Sequence, residues 1–482
     1  MLKDLVKGLE YELLSGSLQI DIEDVCYNSK EIKKGCLFVC LKGFVFDGHN
    51  YIDEAISKGA VAVVVSEDVE IREGITFIHV EDTRYALAEL SSQFFGNPSH
   101  ELTVIGITGT KGKTTISYML SSCLQRADKK VGVIGTIGCM IGDHIEPTNN
   151  TTPESYEIQK YMRRMVDAGC EYCIMEVSSQ GLMTHRVVGI DFDYGIFTNL
   201  SPDHIGEGEH RSFEHYMECK KKLFKMCKVG IFNRDEKYYH EMTEGARCCV
   251  LTYSIDHDSH LKASQISLYR ETNELGTYFN VKGMTEGFYQ VNVPGRFSVY
   301  NALSVIMICS CLHIDMDIVH EALRNVHIKG RDEIVPNDHH FLVMIDYAHN
   351  AISYQSLLET LAHYHPHRMI CVYGVGGQRD VRRRFESGEI VAKMGGYSIV
   401  TADNPRGDNV SDICADIVKG IEKYNGEYEV IEDRREAIRH ALSIAEDDDI
   451  VLCLGKGHEE YQLIGTQKIP FCEREIIEEY FQ

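Results

Sequence analysis

The sequence predicts an α/β protein of three domains in which short buried strands alternate with helices. Its 482 residues suffice for about three domains of ordinary size. The apolar, β-branched run Thr103–Thr108 is followed by a glycine loop and then by a helix-like segment from Ile116. A strand, a glycine loop and a helix in this order open a parallel α/β sheet. Later strand candidates end beside Gly, Asp, Asn or His, where open parallel sheets bind ligands.

The three domains follow one another along the chain. Residues 1–98 hold a buried-strand candidate at 61–65 and end at a Gly-Asn-Pro break, which predicts a smaller N-terminal α/β domain. Residues 99–330 hold the glycine loop and a Thr-, Tyr- and Gly-rich stretch over 252–293 that favours β structure. They predict a central P-loop ATPase domain with a parallel sheet. Residues 331–482 predict a C-terminal Rossmann-like domain, with candidate strands at 341–345, 369–373, 398–401, 427–431 and 450–454.

Composition narrows the classes of function. Apolar residues make up 44% and charged residues 25%, as in ordinary globular proteins. The net charge of −24 argues against general nucleic-acid binding, because phosphate contacts need a positive surface. The start lacks a signal-peptide pattern, no apolar run is long enough to span a membrane, and the 17 cysteines are scattered. We expect a cytoplasmic monomer with reduced thiols that binds small molecules, but neither nucleic acid nor membranes.

The glycine loop predicts a nucleoside triphosphate site. Backbone N–H groups of such a loop turn toward phosphate oxygens, and the start of the next helix adds partial positive charge. Lys113 would reach the β- and γ-phosphates, and the Thr114 hydroxyl would bind Mg²⁺. The strict P-loop pattern has glycine at position 107, where this chain has Ile107. The short form of the pattern is complete in the residues Gly109, Thr110, Lys111, Gly112, Lys113, Thr114 and Thr115.

Seven segments, taken together and in order, resemble the Mur ligases, the ATP-dependent amide-bond ligases of peptidoglycan precursor synthesis. The segments are G-T-K-G-K-T at 109, N-T-T-P at 150, M-E-V-S-S at 175, T-N-L-S-P-D-H at 198, D-Y-A-H at 346, D-N-P-R at 403 and G-K-G-H-E at 455. The resemblance covers nearly the whole chain. It implies a ligase that adds meso-diaminopimelate to UDP-MurNAc-L-Ala-D-Glu through an acyl phosphate. The three domains would then bind the UDP-substrate, ATP and the amino acid, in that order.

The resemblance also implies which residues are catalytic. Glu176 ends a candidate strand and His204 follows another, so both could hold Mg²⁺ between phosphate and substrate. Lys220 takes the place of a lysine that is N6-carboxylated (carbamylated) in the family, and its carbamate would bind a second Mg²⁺. Taken alone, His204 is an ordinary hydrogen-bonded loop residue and Lys220 belongs to a solvated helix face. The predicted catalytic residues are Lys113, Glu176, His204 and Lys220, and the predicted metal ligands are Thr114, Glu176, His204 and Lys220.

The other candidate residues fall into three groups by the ligand that the resemblance implies for them. Besides residues 109–115, the predicted ATP-binding residues are Asn301, Arg331, Asp346 and His349. The predicted UDP-substrate residues are Ser29, Asp47, His49, Asn150, Thr151, Thr152, Ser178 and Arg186. The predicted diamino-acid residues are Arg379, Asp403, Asn404, Arg406, Gly455 and Glu459.

The D-N-P-R run at 403–406 carries the prediction of the incoming amino acid. Diaminopimelate is lysine with an additional carboxylate, and an arginine fork pairs with a carboxylate through two hydrogen bonds. Among the ligases that the chain resembles, the Arg form goes with meso-diaminopimelate, and lysine-adding relatives usually lack it. Arg406 and Arg379 would therefore clamp carboxylates, and Glu459 would receive the neighbouring ammonium group.

Alternative functions remain open. The chain could add lysine or another amine to the same or a similar acid, as folylpolyglutamate synthetase adds glutamate to folate. The Asp-Gly-His at 47–49 favours a uridine nucleotide over folate. A non-catalytic nucleotide-binding relative with a decayed site is a third possibility, which the presence of Lys113 and Glu176 disfavours. The chain departs from the usual family pattern at Gln180, at Gln378, over 383–385, over 407–409 and over 204–210.

Overall fold

The structure is a computed structural model that describes residues 1–43, 46–142, 144–203, 205–206 and 209–482. The chain forms two compact units. The first comprises residues 1–262 and 303–318, and the second comprises residues 263–302 and 319–482. Both contain largely parallel sheets with helices between the strands, so the predicted α/β class is confirmed. None of the described helices is long and apolar enough to cross a membrane.

The N-terminal part of the first unit is a five-stranded sheet in the order β1-β5-β4-β3-β2. Strands β2 to β5 run parallel and β1 pairs antiparallel with β5. The predicted strand at 61–65 is β4, whose residues are all buried, as expected for a central strand covered on both faces. The elements are α1 (Leu2–Leu5), β1 (Glu12–Ser15), β2 (Asp24–Cys26), β3 (Cys36–Val39), α2 (Ile52–Ser57), β4 (Ala62–Val65), β5 (Thr76–His79) and α3 (Thr83–Phe94), with 3-10 turns at Gly48–Tyr51 and Pro98–Glu101.

The central sheet of the first unit has the strand order β13-β12-β11-β6-β10-β7-β8-β9. Its strands are β6 (Thr103–Thr108), β7 (Val131–Gly135), β8 (Gly138–Ile141), β9 (His144–Glu146), β10 (Tyr172–Glu176), β11 (Phe192–Phe197), β12 (Cys227–Asn233) and β13 (Cys249–Ser254). Its helices are α4 (Lys113–Arg126), α5 (Ser155–Asp167), α6 (Ser179–Met183), α7 (Phe213–Lys221), α8 (Leu223–Met226) and α9 (Tyr239–Thr243). Strand β6 lies between β10 and β11 and is parallel to both, so the loops that follow these three strands meet at one edge.

The β-rich stretch predicted over 252–293 is also confirmed. Strand β14 (Leu261–Glu271) begins in the first unit and continues in the second, where β15 (Glu274–Gly283) pairs antiparallel with β16 (Gly287–Val291). Two helices follow, α10 (Arg296–Cys311) and α11 (Met316–Arg324).

The second unit contains a six-stranded sheet in the order β17-β18-β22-β19-β20-β21. Strands β18 to β22 are parallel, and β22 lies between β18 and β19 although it comes last in the chain. The strands are β17 (Glu333–Ile334), β18 (Leu342–Asp346), β19 (Met369–Tyr373), β20 (Tyr397–Val400), β21 (Tyr428–Val430) and β22 (Ile450–Leu454), followed by the hairpin of β23 (Tyr461–Ile464) and β24 (Gln467–Pro470). The helices are α12 (Ala351–Ala362), α13 (Arg382–Lys393), α14 (Val410–Glu422), α15 (Arg434–Ser443) and α16 (Glu473–Phe481).

Candidate active site

The glycine loop connects β6 to the start of α4, as the sequence predicts. Gly109 has a φ of 152°, and a Cβ placed on it would lie 1.9 Å from Thr198 Oγ1, so only glycine fits there. Gly112 has a φ of 89° immediately before the helix. Lys113 Nζ folds back over the loop and donates to the carbonyl oxygens of Gly109 (2.9 Å) and Thr110 (3.1 Å). The lysine ammonium group therefore lies over the loop where phosphate is predicted to bind.

Glu176 at the end of β10 contacts the first turn of α4. Its side chain is buried, and its Oε2 accepts hydrogen bonds of 3.0 Å from both Thr114 Oγ1 and Thr136 Oγ1. Its Oε1 accepts the Thr136 N–H over 3.2 Å. Hydroxyl and carboxylate oxygens are ligands that Mg²⁺ prefers, so the chemistry of this donor pair fits the predicted metal site. His204, the other predicted metal ligand on a strand end, lies outside the described residues.

Lys220 lies beneath the glycine loop. Its side chain is buried, its Nζ donates to the Gly109 carbonyl oxygen over 2.8 Å, and the amine lies 4.6 Å from the centre of the Tyr216 ring. Burial, with the nearby charge of Lys113, holds the pKa of Lys220 well below its ordinary value. The environment therefore favours an uncharged amine at a position that the sequence alone would assign equally well to a solvated helix face.

One cavity of about 160 Å³ joins the glycine loop to most of the predicted substrate residues of the central sheet. The described residues that line it are Thr110, Lys113, Asn150, Thr151, Ser178, Ser179, Gln180, Arg186, Glu209, His210, Tyr216 and Lys220. Lys113 and Lys220, both from the predicted catalytic set, therefore line the same pocket as Arg186. The positive charges of Lys113 and Arg186 suit a ligand that carries phosphate or carboxylate groups.

Arg186 lines this cavity, whereas Thr152 supports the cavity wall without lining it in the described part of the chain. Thr152 is fully buried, and its hydroxyl donates to the Glu176 carbonyl oxygen over 2.8 Å and accepts the Ser178 N–H over 2.9 Å. Arg186 donates to the Thr152 carbonyl oxygen over 2.9 Å and pairs with Glu154 over 3.0 Å. Its Nε is buried and has no hydrogen-bond partner among the described residues. Arg186 is thus fixed in place in the wall of the cavity.

The three N-terminal candidates do not line this cavity in the described part of the chain. Asp47 accepts hydrogen bonds from the His49 backbone N–H (3.0 Å) and from His49 Nδ1 (2.6 Å). The Ser66 N–H donates to His49 Nε2 over 3.1 Å, so both imidazole nitrogens are used within the domain. Ser29 is nearly buried, and its carbonyl oxygen accepts from Lys58 Nζ over 2.9 Å. These contacts explain the local turn without a ligand.

The remaining ATP candidates lie in the second unit. Asp346 ends β18 and accepts the backbone N–H groups of Asp332 (2.9 Å) and Ala348 (2.7 Å). The Arg331 guanidinium lies 4.8 Å from the centre of the Tyr347 ring, and His349 Nδ1 contacts the Tyr347 carbonyl oxygen at 2.8 Å. Asn301 lies in α10.

The diamino-acid candidates at the ends of β20 and β22 form a connected group. Asn404 Nδ2 donates to Glu459 Oε2 over 2.8 Å. The fully buried Lys456 donates to Asn404 Oδ1 and to Glu459 Oε2, each over 3.1 Å. Gly455 has a φ of 110°, and a Cβ there would lie 2.6 Å from Asp403 Oδ2, so glycine lets the backbone approach this carboxylate.

The two predicted arginine clamps differ in their surroundings. Arg406 has a left-handed backbone with a φ of 52°, and its Nη1 donates to the Gly377 carbonyl oxygen over 2.7 Å. Arg379 is exposed, and among the described residues it has no hydrogen bond or ion pair with Asp403, Asn404 or Glu459. The structure therefore joins Asn404 to Glu459 directly but leaves Arg379 apart from them.

Sequence reasoning missed several residues of both groups. Lys456 lies in the G-K-G-H-E segment between the candidate residues Gly455 and Glu459, and this position was the available signal. Tyr216 precedes Lys220 by one helical turn, and its hydroxyl contacts Thr110 Oγ1 at 3.0 Å. Thr136 donates two hydrogen bonds to Glu176. No local pattern could predict this contact, because the two residues are 40 positions apart in the chain.

Comparison with known proteins gives matches along almost the entire chain. Three family models match: the catalytic domain of the Mur ligase family over residues 21–95, the Mur ligase middle domain over 107–309, and the glutamate ligase domain of Mur ligases over 330–457. The UDP-N-acetylmuramoyl-L-alanyl-D-glutamate–2,6-diaminopimelate ligase of Caldanaerobacter subterraneus subsp. tengcongensis is 46% identical over 481 residues, which are 99% of this chain and 98% of the relative.

Solved structures agree with the sequence matches. A structure of a UDP-N-acetylmuramoyl-L-alanyl-D-glutamate–2,6-diaminopimelate ligase has a TM-score of 0.72 and 25% identity, covering 98% of this chain and 96% of that one. MurF ligase from Thermotoga maritima, solved in complex with ADP, has a TM-score of 0.59 at 18% identity over 95% and 96% of the two chains, which shows a shared fold. The resemblance read from the seven sequence segments is confirmed, and the chain belongs to the Mur ligase family.

Proposed function

We propose that the chain is an ATP-dependent ligase that adds meso-diaminopimelate to UDP-MurNAc-L-Ala-D-Glu during peptidoglycan precursor synthesis. The observation that carries the proposal is the single cavity in which Lys113 of the glycine loop and Arg186 of the substrate side both lie. The printed name of the 46% identical relative supports the choice of substrates. The ADP in the related MurF structure supports the use of ATP.

The reaction consists of two substitutions. A carboxylate oxygen of the substrate attacks the γ-phosphorus of ATP, and ADP leaves, which gives an acyl phosphate. The amine then attacks the acyl carbon, loses a proton and expels inorganic phosphate. Lys113 would turn from the carbonyl oxygens of Gly109 and Thr110 to neutralise charge on the transferred phosphoryl group.

Thr114 and Glu176 are the described residues that would hold Mg²⁺, which when bound supplies positive charge beside the phosphates. We also propose that Lys220 carries a carbamate. An uncharged amine attacks the carbon of CO₂ and releases one proton, and burial favours the uncharged form of Lys220. The product has anionic oxygens in a pocket where the free side chain offers only a nitrogen.

We propose that the diamino acid binds at the ends of β20 and β22. Arg406 offers donors for the carboxylate that distinguishes diaminopimelate from lysine, and Glu459 with Asn404 offers acceptors for the neighbouring ammonium group. The ranges of the three family models support domains at 1–98, 99–330 and 331–482. We propose that these domains bind the UDP-substrate, ATP and the amino acid, respectively.

The test is phosphate release by the purified chain with ATP, Mg²⁺, the nucleotide dipeptide and one amine at a time. We expect release with meso-diaminopimelate that depends on the dipeptide and exceeds release with lysine or ornithine. A preference for lysine would reject diaminopimelate as the substrate and favour the lysine-adding alternative. Tight ATP binding without turnover under any amine would reject the ligase and favour the non-catalytic relative.

A further inference from the structure

Three side chains of metal-ligating type converge beside α7. His215 and Cys219 are four residues apart on this helix, and the His215 Nε2 to Cys219 Sγ distance is 3.7 Å. His210 comes from the segment before the helix, and its ring centre lies 5.1 Å from that of His215. One donor atom from each of the three residues lies within 4.8 Å of the other two. His210 and Cys219 are buried, and His215 is half-buried.

We propose that His210, His215 and Cys219 bind a thiophilic divalent metal ion, with zinc as the best fit. Zinc–nitrogen and zinc–sulfur bonds of about 2.0–2.1 Å and 2.3 Å place tetrahedral N and S ligands about 3.6 Å apart. The nitrogen–sulfur distance of 3.7 Å between His215 and Cys219 agrees with that separation. Two imidazoles and a thiol select zinc or a similar metal, whereas Mg²⁺ prefers oxygen ligands such as those of Thr114 and Glu176.

The contacts around the three ligands hold them in place. Ser212 begins α7, and its side-chain oxygen accepts the His215 backbone N–H over 3.2 Å. His210 Nε2 contacts Ser179 Oγ at 2.8 Å, which can fix the ring for coordination through its other nitrogen. The Gly206 N–H donates to the His210 carbonyl oxygen over 3.2 Å. If His215 binds the metal through Nε2, its Nδ1 carries the ring proton and can no longer accept a hydrogen bond. The bond lost would be the long one, 3.4 Å, from the Arg211 N–H to Nδ1.

Cys219 is buried and would bind the ion as a thiolate. A metal ion binds the thiolate and releases the proton. Three protein ligands leave a fourth position for water in a tetrahedral site. Because α7 also carries Lys220 and His210 lines the cavity, the bound ion would tie the cavity wall to this helix.

A second group of ligand-type residues fits zinc less well. Asp24, Cys26 and Cys36 also have donor atoms within 4.8 Å of one another. The two sulfur atoms are only 3.2 Å apart, and the Asp24 carboxylate already accepts the Tyr156 hydroxyl over 2.7 Å. Tetrahedral zinc would hold two sulfur ligands about 3.8 Å apart. Cys36 is, like Cys219, a buried free cysteine, so replacing it controls for the general effect of removing a buried thiol.

The test titrates the full, reduced, chelator-treated chain with Co²⁺ and then with Zn²⁺. We expect one equivalent of Co²⁺ to give a thiolate-to-cobalt charge-transfer band and tetrahedral visible bands that one equivalent of Zn²⁺ removes. Cys219→Ser should abolish the charge-transfer band, and both Cys219→Ser and His215→Ala should weaken zinc binding at least about tenfold. Cys36→Ser should leave the spectrum and the affinity unchanged.

Absence of the charge-transfer band in the wild-type chain would overturn the proposal without any variant. Retention of the band in Cys219→Ser, or its loss in Cys36→Ser, would overturn it as well. Thermal unfolding of each metal-free variant shows whether that variant folds. If Cys219→Ser does not fold, His215→Ala tests the site instead, because it removes a ligand and keeps the cysteine. No substrate is used, so the result is independent of the proposed ligase reaction.

Discussion

Thr114 Oγ1 donates a hydrogen bond of 3.0 Å to Glu176 Oε2, and this contact joins the first turn of the glycine-loop helix to the end of the neighbouring strand. The two residues are 62 positions apart in the chain. They meet because β6 and β10 are adjacent parallel strands whose ends lie at the same edge of the sheet. The sheet therefore brings a hydroxyl and a carboxylate to the place where a nucleotide-bound Mg²⁺ is expected.

Glu176→Gln should lower the rate of phosphate release by about 10²- to 10³-fold. The amide keeps the size of the side chain and the acceptor for the Thr136 N–H, but it removes the negative charge that would hold Mg²⁺. The free energy of unfolding should change little. Steady-state kinetics across Mg²⁺ concentrations, with chemical denaturation alongside, measures both quantities. Glu171→Gln, an exposed residue paired with Lys129, is the control, and an equal loss of rate in it would contradict the assignment.

Lys220→Met should stabilise the chain more at neutral than at alkaline pH. The pKa of Lys220 is well below its ordinary value in the folded state because the side chain is buried. Between the folded pKa and the ordinary value of about 10.4, the unfolded state binds more protons, so the stability contributed by this residue rises with pH. The gain from Met should therefore shrink as pH rises through that window.

The measurement is chemical denaturation of Lys220→Met and wild type over a pH series in CO₂-depleted buffer. Lys225→Met, which replaces an exposed lysine five residues later in the chain, is the control and should show no such trend. A pH-independent difference between Lys220→Met and wild type would mean that Lys220 is not buried as an uncharged amine.

Arg406→Lys should reduce the preference for diaminopimelate over lysine by about 10- to 100-fold. A lysine ammonium keeps the positive charge but cannot present the planar pair of donors that a carboxylate accepts. The ratio of kcat/KM for the two amines measures the preference. The control is Arg382→Lys, because Arg382 is exposed and pairs with Asp380. Unchanged selectivity in Arg406→Lys would exclude this arginine from recognition of the second carboxylate.

Lys456→Met should destabilise the chain by about 1–3 kcal/mol and raise the KM for the diamino acid. Removal of the ammonium group leaves Asn404 Oδ1 and Glu459 Oε2 each without one donor in a buried site. The binding of ATP should be unaffected. Denaturation and amine-dependent kinetics test both effects against Lys468→Met, which replaces another lysine over the Tyr461 ring. An unchanged KM for the amine would contradict a positioning role for Lys456.

Much of the fold could be predicted from local patterns in the sequence. Strand β4 is a continuous apolar run, and β6 is a β-branched run that is followed directly by a glycine loop. Such features depend on neighbouring residues alone. The contacts that define the candidate site depend instead on which strands are adjacent, which the sequence did not reveal.

Lys220 and Lys456 show this difference. In the sequence, Lys220 belongs to a run of three lysines, a pattern typical of a solvated helix face. The structure buries it beneath Gly109, 111 residues earlier in the chain. In the sequence, Lys456 is a lysine in a glycine-rich segment, which predicts an exposed side chain. In the structure it is fully buried and donates a hydrogen bond to Asn404, 52 residues earlier. Burial of a lysine depends on long-range packing, so local composition could not predict either case.

The most direct test of the central claim follows the oxygen atoms of the substrate. The nucleotide dipeptide is labelled with oxygen-18 in the reacting D-glutamate carboxylate and incubated with the chain, ATP, Mg²⁺ and meso-diaminopimelate. Through an acyl phosphate, each released phosphate should carry one labelled oxygen from the carboxylate. Mass spectrometry showing unlabelled phosphate together with amide product would contradict this account.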